Sequence, residues 1–461
     1  MLLIIYIGIK VIHFPIKLIR RMNIMVKVLK FGGSSLADAE QFRKVAAIVK
    51  AEPERRYVVA SAPGKRFSED IKVTDMLYDC YKLVKANQPI DDAFKLIENR
   101  YNEIIKELGI HLWLQPEFDR IKNAIVHHAG RDYIASRGEY LNSMVLAGFL
   151  GYDFIDAEDG IFFKENGTLD EEKTNEELTA ILAKHEHAVI PGFYGVMPNG
   201  TIKTFSRGGS DITGSIVARA IKADIYENWT DVSGMLMADP RCVENPKVIE
   251  TITYAELREL SYMGATVMHE DAIFPVREMG IPINIRNTNA PEDNGTMIVP
   301  SVESNKVDTI ITGVAGKKGF SVICIEKDMM NSEVGFGRTV LEVLENHNLC
   351  FEHLPSGIDT MSVVVNDADF LKNKDAIVND IQRRTKADNV TVNGGIALIA
   401  VVGRGMAGSK GTASRLFKAI AEGDINIRMI DQGSSELNII VGIDEEDYVK
   451  ALNAIYHEFV K

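Results

Sequence analysis

The chain has 461 residues, of which 46% are hydrophobic and 25% are charged. This composition is typical of a folded protein, and the length favours about two to four domains. The formal net charge of −13 argues against nucleic acid or an anionic membrane as a partner, because both require a basic surface.

Residues 1–24 begin as an apolar run and then become basic. Lys10 and Lys17 interrupt this run before it reaches the roughly 18–20 residues that a spanning helix requires. A signal peptide would carry its charge ahead of the apolar stretch, whereas here most of the charge follows it. We therefore expect a non-native or disordered extension, with Met25 as the true start, and no membrane association.

The four cysteines are scattered along the chain and form no C-x-x-C pair. Neither they nor the histidines show the spacing of metal ligands, so we predict no metal site and no disulfide framework. Reduced thiols favour a cytoplasmic location.

Strand-like and helix-like segments alternate from residue 26 to about residue 300. Short apolar runs predict strands at residues 26–30, 57–60, 188–190 and 224–228. Helical patterns lie between them at residues 38–50, 138–150 and 211–221. This alternation predicts an α/β domain over residues 25–300, with a mostly parallel sheet that is covered on both faces.

The rest of the sequence repeats itself with a period of 76 residues, as between Asn348 and Asp424. Each copy predicts strand, helix, strand, strand and helix, the beginning of a βαββαβ ferredoxin-like unit. The second copy ends without a sixth element, and residues 308–314 form a spare strand-like segment upstream. We infer that this strand completes the second sheet, so that the units interleave, one over 321–393 and the other over 308–315 plus 394–461.

The first motif follows the first predicted strand and is Lys30-Phe31-Gly32-Gly33-Ser34-Ser35. Glycines allow backbone N–H groups to approach a phosphate at a helix N-terminus, and an adjacent lysine can meet a transferring phosphoryl group. The alternative is a tight turn with an incidental lysine.

Two further motifs precede or open predicted helices. In residues 206–211 (Ser-Arg-Gly-Gly-Ser-Asp), Arg207 suits a carboxylate, although a glycine-rich loop with a capping aspartate has the same pattern. In residues 137–139 (Arg-Gly-Glu), Glu139 would more often be an ordinary acidic residue in a first helical turn. Residues 230–234 and 239–241 surround a strand exit, where only Arg241 stands out from the turn residues.

Residues 403–408 (Gly-Arg-Gly-Met-Ala-Gly) match the dinucleotide-binding pattern G-x-G-x-x-G, with Asp424 about twenty residues further on. The two strands predicted after this loop are joined by a short polar turn. Such spacing makes a hairpin and not the next parallel strand of a dinucleotide-binding unit. We therefore predict an ordinary loop at the start of a helix.

Taken together and in this order, the motifs resemble those of the amino-acid kinase family and, within it, the aspartate kinases. The tandem repeat resembles paired ACT regulatory domains, which favours aspartate kinases over the related kinases of N-acetylglutamate, glutamate, carbamate and UMP. The resemblance implies phosphoryl transfer from ATP, carried with Mg²⁺, to the side-chain carboxylate of L-aspartate. The product would be 4-phospho-L-aspartate, in the first step of lysine, threonine and methionine biosynthesis.

The resemblance also implies roles for single residues. Lys30 and Asp211 are expected at the phosphoryl-transfer centre. The expected ATP-binding residues are Lys30, Gly32, Gly33, Ser34, Thr230, Asp231, Leu236 and Arg241. The expected contacts of L-aspartate are Ser61, Thr74, Glu139, Phe193 and Arg207, with Glu139 on the ammonium and Arg207 on a carboxylate.

The sequence departs from the family pattern at three places. The charged loop between Ser61 and Thr74 is longer than usual, which affects the assignment of Thr74. Thr266 stands where many members have a lysine on the nucleotide side, and Leu236 stands where tyrosine is common.

Feedback control is the expected role of the repeats. Met330, Ser332 and Gly335 lie where the resemblance places the effector loop, and lysine or threonine is the expected effector. Pairing between such units implies a homo-oligomer. Two alternatives stay open: another kinase of the same fold, and a catalytically inactive amino-acid sensor.

Overall fold

The computed structural model describes residues 25–206, 208–265, 268, 272–302 and 309–460. The segment 1–24, expected to be an extension, lies outside the described residues. The strands of the N-terminal part are β1 (Lys27–Phe31), β2 (Arg55–Ala60), β3 (Asp153–Phe154), β4 (Ala188–Pro191), β5 (Tyr194–Val196), β6 (Ile202–Thr204), β7 (Ile225–Thr230), β8 (Thr251–Thr253), β9 (Ile283–Asn287) and β10 (Thr296–Val299). Its helices are α1 (Ala39–Ala51), α2 (Val73–Lys85), α3 (Asp91–Leu108), α4 (Gln115–Val126), α5 (Arg131–Leu150), α6 (Ala157–Gly160), α7 (Glu171–Leu182), α8 (Gly209–Ala220), α9 (Tyr254–Tyr262) and α10 (Phe274–Glu278).

Eight of these strands form one sheet in the order β3-β4-β2-β1-β7-β9-β10-β8. Neighbouring strands run parallel except for β9 and β10, which are antiparallel. The predicted mostly parallel sheet is therefore confirmed. Helix α8 packs on β1, β2 and β7, while α5 packs on β2, β3 and β4. Because β1, β2 and β7 are parallel neighbours, the loops after them converge at one edge of the sheet.

Helix α5 begins at Arg131, earlier than the predicted start at Gly138. The sequence prediction placed a helix start at a glycine, but Gly138 lies in the middle of α5. A Cβ atom there would lie 2.8 Å from the Cβ of Ala62, so the glycine lets the helix approach the loop after β2. Glu139 is consequently not a first-turn acidic residue, and that interpretation was wrong.

The C-terminal part contains β11 (Gly313–Glu326), β12 (Thr360–Asn366), β13 (Asn389–Val402), β14 (Ile427–Asp431) and β15 (Asn438–Asp444). Its helices are α11 (Phe336–Asn346), α12 (Asp367–Phe370), α13 (Lys374–Thr385), α14 (Thr412–Glu422) and α15 (Tyr448–Phe459). The five strands form one antiparallel sheet in the order β12-β11-β13-β15-β14.

Two long strands, β11 and β13, run through both repeats. The second half of β11 pairs with β12 and with the first half of β13. The first half, from Gly313 to Lys317, pairs with the second half of β13 beside β15. The strand that enters the second unit's sheet therefore begins at Gly313 and is continuous with the first strand of the first unit.

Matching positions of the two repeats share backbone geometry. Helices α11 and α14 each have 11 residues, and the glycines before them, Gly335 and Gly411, both have φ of 89°. Asn348 and Asp424, which occupy matching positions of the 76-residue repeat, have φ of 51° and 49°. The repeat seen in the sequence is thus a structural repeat.

The G-x-G-x-x-G loop owes its glycines to packing. A Cβ at Gly403 would lie 2.5 Å from the carbonyl oxygen of Ile310, and one at Gly405 would lie 2.4 Å from that of Thr309. The loop therefore presses against the segment that leads into β11. The strands that follow it, β14 and β15, are antiparallel neighbours as predicted.

None of the helices in the described ranges combines the length and the apolar character needed to cross a bilayer. The four cysteines are all free, and Cys80 is buried while Cys350 is exposed.

Candidate active site

The loop after β1 packs against the loop after β2 through a pair of glycines. A Cβ at Gly33 would lie 2.9 Å from the carbonyl oxygen of Ala62, and one at Gly64 would lie 2.6 Å from the carbonyl carbon of Gly33. The N–H of Gly64 donates to the carbonyl of Gly33 over 2.8 Å. The parallel strands β1 and β2 thus bring the two loops into contact. The contact is so close that neither Gly33 nor Gly64 can carry a side chain.

Gly32 and Gly33 were both expected to present N–H groups to a phosphate. The N–H of Gly32 instead donates to the carbonyl of Trp229 over 3.0 Å, which ties the loop to β7. The N–H groups of Gly33 and Ser34 have no acceptor among the described residues. These two N–H groups at the start of a helical turn are the ones suited to an anionic group.

Three polar side chains meet at the end of β1. The ammonium of Lys30 lies 2.6 Å from a carboxylate oxygen of Asp211, at the beginning of α8. The amide of Asn228 on β7 donates to the same Asp211 oxygen over 2.9 Å, while its own oxygen lies 3.5 Å from the Lys30 ammonium. Lys30 and Asn228 are buried. Lys30 and Asp211 therefore form a positioned ion pair. An incoming anion would compete with Asp211 for the Lys30 ammonium.

Glu139 lies on the inward side of α5 with one carboxylate oxygen, Oε2, buried and without a partner in the described part of the chain. Burial raises the pKa of Glu139 to about 8, although a hydrogen bond from the backbone of Ala62 and the charge of Arg137 favour the ionised form. A buried carboxylate with unused hydrogen-bonding capacity suits a cationic group such as an ammonium.

A cleft of about 580 Å³ is lined by the glycine loop and Glu139. The Lys30–Asp211 pair lies next to it, since a Cβ placed at Gly32 would lie 3.6 Å from the Lys30 ammonium. The lining of the cleft includes residues predicted for ATP and for the substrate: Gly32, Gly33, Ser34, Ser61, Thr74, Glu139, Thr230 and Asp231. Thr74 lies in the first turn of α2, so the longer loop before it still returns the hydroxyl to the cleft. The charged loop itself, through Lys65, Arg66 and Lys72, forms part of the wall.

Phe193 and Arg207 were the remaining substrate predictions. Phe193 has φ of 83°, and its N–H donates to the hydroxyl of Thr213 over 3.1 Å. A Cβ at Gly209 would lie 2.5 Å from the Phe193 ring, so this residue packs on the start of α8. Arg207 and Thr266 lie outside the described residues.

The predicted nucleotide segment borders a second, larger cavity of about 930 Å³. Asp231, Leu236 and Arg241 all line it, and Asp231 lines the smaller cleft as well. Arg241 pairs with Asp239 over 2.6 Å and is largely exposed. The two cavities are therefore neighbours that share Asp231, the residue that follows β7.

Sequence reasoning missed Gly64, Asn142 and Asn228. Asn142, one turn along α5 from Glu139, donates to the carbonyl of Ser61 over 2.7 Å. Asn228 had no motif of its own, since it lies inside the buried strand β7 between Glu227 and Trp229. The only available signal was a polar residue in that strand, where burial demands a partner.

The predicted effector loop lies before α11. Met330 is buried, while the hydroxyl of Ser332 donates to the carbonyl of Met329 over 2.8 Å. Gly335 is in the left-handed region, and a Cβ there would meet only the Arg338 side chain at 4.0 Å. The structure brings these residues into one turn at a helix start, with Met330 buried beneath it and Ser332 and Gly335 exposed.

Comparison with known proteins agrees with this architecture. A model of the amino acid kinase family matches residues 25–287, and an ACT domain model matches residues 399–459. Aspartokinase 3 of Bacillus subtilis (strain 168) is 38% identical over 452 residues, covering 94% of this chain and 98% of the relative.

Solved structures show the same likeness. The crystal structure of Clostridium acetobutylicum aspartate kinase has a TM-score of 0.87 at 52% identity and covers 94% of this chain and 100% of that one. The structure of E. coli aspartokinase III in complex with aspartate and ADP has a TM-score of 0.72 at 22% identity, over 95% of this chain and 100% of that one, and it shows the shared fold. The chain belongs to the amino acid kinase family and, within it, to the aspartate kinases.

Proposed function

We propose that the aspartate kinase reaction takes place in the cleft at the ends of β1, β2 and β7, with Lys30, Asp211 and Glu139 as its central residues. The enzyme transfers the γ-phosphoryl group of ATP to the side-chain carboxylate of L-aspartate and forms 4-phospho-L-aspartate. The carboxylate is already ionised at neutral pH, so no general base is required. The observation that carries the assignment is the Lys30–Asp211 contact of 2.6 Å next to the cleft. A Cβ placed at Gly32 would lie 3.6 Å from the Lys30 ammonium, and Gly32 lines the cleft together with Gly33 and Glu139.

ATP would span the two cavities. Leu236 and Val248 give the larger cavity an apolar wall, which suits the adenosine portion of ATP. The phosphates would pass Asp231 and reach the free N–H groups of Gly33 and Ser34. This path places the γ-phosphoryl group beside Lys30.

The Lys30–Asp211 pair would change partners during the reaction. Without ATP, each charge neutralises the other. When the phosphoryl group arrives, the Lys30 ammonium can neutralise its developing charge, while Asn228 keeps Asp211 oriented through the 2.9 Å hydrogen bond. Catalysis would then rest on positioning and on charge stabilisation.

L-Aspartate would bind on the α5 side of the cleft. Glu139 would receive the ammonium, and ionisation of Glu139 would accompany binding because the new positive charge stabilises the carboxylate. Ser61 and Thr74 would contact the substrate through their hydroxyls. Phe193 would form the substrate-side wall, and Arg207 would bind one carboxylate.

Mg²⁺ would enter as the complex with ATP. The described residues contain no group of three or more histidine, cysteine or acidic side chains placed to hold a metal ion. Mg²⁺ commonly binds substrate phosphates together with one or two carboxylates, and Asp211 and Asp231 are the acidic residues beside the phosphate path. When bound, the ion would neutralise phosphate charge.

The C-terminal repeats would provide feedback control in the cytoplasm by lysine or threonine, within a homo-oligomer. One related structure, E. coli aspartokinase III, was obtained in complex with lysine and aspartate. In this chain the turn that holds the buried Met330 and the exposed Ser332 and Gly335 would receive the effector. The ferredoxin-like units would act as one body, since β11 and β13 run through both.

The reaction is tested by measuring ADP formation with ATP, Mg²⁺ and a panel of acceptors, and by trapping the acyl phosphate with hydroxylamine. We expect ADP and hydroxamate only with L-aspartate. Activity with glutamate, N-acetylglutamate, carbamate or UMP would indicate another kinase of this fold. ATP that stays intact with every acceptor would indicate an inactive sensor.

The effector assignment is tested by titrating lysine, threonine and methionine against this activity. We expect lysine or threonine to inhibit, and substitution of Ser332 or Gly335 to weaken inhibition while the uninhibited kcat stays within about threefold. If no amino acid binds or inhibits the wild type, the repeats serve assembly alone.

A further inference from the structure

The larger cavity is built by both halves of the chain. Asp231, Leu236 and Arg241 of the kinase half lie on one side. The regulatory half supplies the other wall through Val314, Ala315, Gly316, Lys317 and Lys318 of β11 and Tyr448, Val449 and Leu452 of α15. The cavity is therefore incomplete without the C-terminal repeats.

The two walls are joined by hydrogen bonds around the nucleotide segment. The N–H of Val314 donates to the carbonyl of Met237 over 2.7 Å. On α15, the Asn453 amide donates to the carbonyl of Cys242 over 2.7 Å, and the Tyr456 hydroxyl accepts from the N–H of Lys247 over 2.9 Å. These contacts fix the regulatory wall relative to the kinase wall.

Two lysines of β11 bring positive charge to this wall. The ammonium of Lys317 lies 5.3 Å from the ring centre of Tyr262, and that of Lys318 lies 5.3 Å from the ring centre of Tyr448. Neither has an ion-pair partner in the part of the chain that the structure describes. Arg241, by contrast, is already neutralised by Asp239.

The backbone holds both lysines at the cavity. The Tyr448 hydroxyl donates to the carbonyl of Gly316 over 2.7 Å, and a Cβ at Gly316 would lie 2.8 Å from the Tyr448 ring. This contact fixes β11 on α15 at the residue before Lys317. The flexible stems of the lysines then leave their charges able to turn toward a ligand.

We propose that Lys317 and Lys318 bind the phosphates nearest the ribose, which lie in the larger cavity before the phosphate chain passes Asp231, so that the regulatory half completes the ATP site. This inference rests on the proposed location of ATP. A mobile ammonium on a flexible stem is a suitable point charge for a phosphate. Because β11 also runs through the sheet of both repeats, a nucleotide held in this way contacts the element that would respond to an effector, and their affinities would be coupled in both directions.

The test measures binding of ADP and of adenosine to the full-length enzyme by calorimetry or competition, for the wild type and for Lys317→Ala, Lys318→Ala and the double variant. The matched control is Lys418→Ala, an exposed lysine on α14. We expect the double variant to bind ADP about tenfold more weakly, in the range for loss of charge-assisted contacts. Adenosine binding and the KM for aspartate should stay unchanged.

Unchanged ADP affinity in the double variant would overturn the proposal. Equal weakening for ADP and adenosine would also overturn it, because the lysines would then act on the adenosine portion or on the shape of the cavity.

A further variant, Leu236→Glu, separates this inference from the proposed function. If it abolishes ADP binding while the lysine variants have no effect, the cavity holds the nucleotide and only the role of the lysines is wrong. If Leu236→Glu binds ADP normally, the nucleotide lies elsewhere and both assignments fail.

Discussion

Lys30 is a buried lysine whose ion-pair partner is Asp211. Its ammonium forms a 2.6 Å ion pair with Asp211 beside the glycine loop after β1. We predict that Lys30→Met reduces kcat by about two to four orders of magnitude, since it removes charge stabilisation in the transition state. Steady-state kinetics with circular dichroism to confirm folding provide the measurement.

Lys27→Met is the matched control on the same strand. Lys27 contacts Glu52 and Glu227, away from the cleft residues. Its loss should lower stability and leave kcat near the wild-type value. A folded Lys30→Met enzyme with near-normal kcat would refute the catalytic assignment.

We predict that Glu139 links the pH dependence of stability to that of substrate binding. Its carboxyl ionises near 4.5 when unperturbed, whereas burial raises the pKa to about 8 in the fold. The folded state therefore binds more protons between these values, and the contribution of Glu139 to stability is lost as the pH rises through this window. We predict that Glu139→Gln has a higher Tm than the wild type at pH 8 and a smaller difference near pH 5.

The same carboxyl must be ionised to bind an ammonium. For the wild type, kcat/KM for aspartate should rise as the pH increases toward about 8, and Glu139→Gln should lose both this rise and most of the affinity for aspartate. Glu117→Gln, on α4 and outside the cleft, should keep the rise. A pH profile that is the same for Glu139→Gln and the wild type would exclude Glu139 from the substrate site.

At the scale of elements, the loop after β1 packs against the loop after β2 through Gly33 and Gly64, and a side chain fits at neither position. We predict that Gly64→Ala costs about 1–3 kcal/mol of stability, as overpacking does, because a Cβ would lie 2.6 Å from the carbonyl carbon of Gly33. Displacement of the Gly33 turn should also raise the KM for ATP. Thermal unfolding and ATP kinetics provide the measurements.

Gly130→Ala is the matched control for Gly64→Ala. It tests whether loss of stability follows from replacing a glycine of this domain that has no close neighbours. Among the described residues, no atom lies within 4 Å of a Cβ placed at Gly130, so this variant should be nearly neutral. If Gly64→Ala were as stable and active as Gly130→Ala, the close packing of the two loops would not be required.

At the scale of the whole molecule, one buried carboxylate joins the kinase half to the regulatory half. Glu256 on α9 is fully buried. It accepts hydrogen bonds from the Thr312 hydroxyl over 2.5 Å and from the backbone and side chain of Arg404, each over 2.8 Å. Burial acts to raise the pKa of Glu256, but the hydrogen bonds from the Thr312 hydroxyl, the Arg404 backbone and Thr253 outweigh it and lower the pKa.

We predict that Arg404→Ala destabilises the enzyme by about 1–3 kcal/mol, in the range for losing a hydrogen bond to a charged group, because the Thr312 hydroxyl and the backbone N–H of position 404 still contact Glu256. It should also reduce the response to the effector, because the junction transmits the position of β13 to α9. Arg428→Ala, which breaks a half-exposed pair with Asp444 in the regulatory half, should change neither property. Equal Tm and equal inhibition curves for Arg404→Ala and the wild type would rule out this junction as a coupling element.

The sequence alone determined the features that depend on local chemistry and on periodicity. Alternating strands and helices indicated the parallel sheet, the 76-residue period indicated the two ferredoxin-like units, and the short turn between β14 and β15 excluded a dinucleotide fold. Local patterns carry this information because glycine loops and hydrophobic periods act within a few residues.

Tertiary structure decided the features that depend on close approach between distant segments. Gly138 became a mid-helix contact with Ala62, Gly64 became the partner of Gly33, and Asn228 became part of the Lys30–Asp211 group. Steric fit of this kind leaves no periodic signal, since the partners are far apart in sequence. The position of β11 beside the predicted nucleotide segment also depends on contacts between distant residues. Strand pairing and burial across the two halves determine this position, and no sequence motif encodes it.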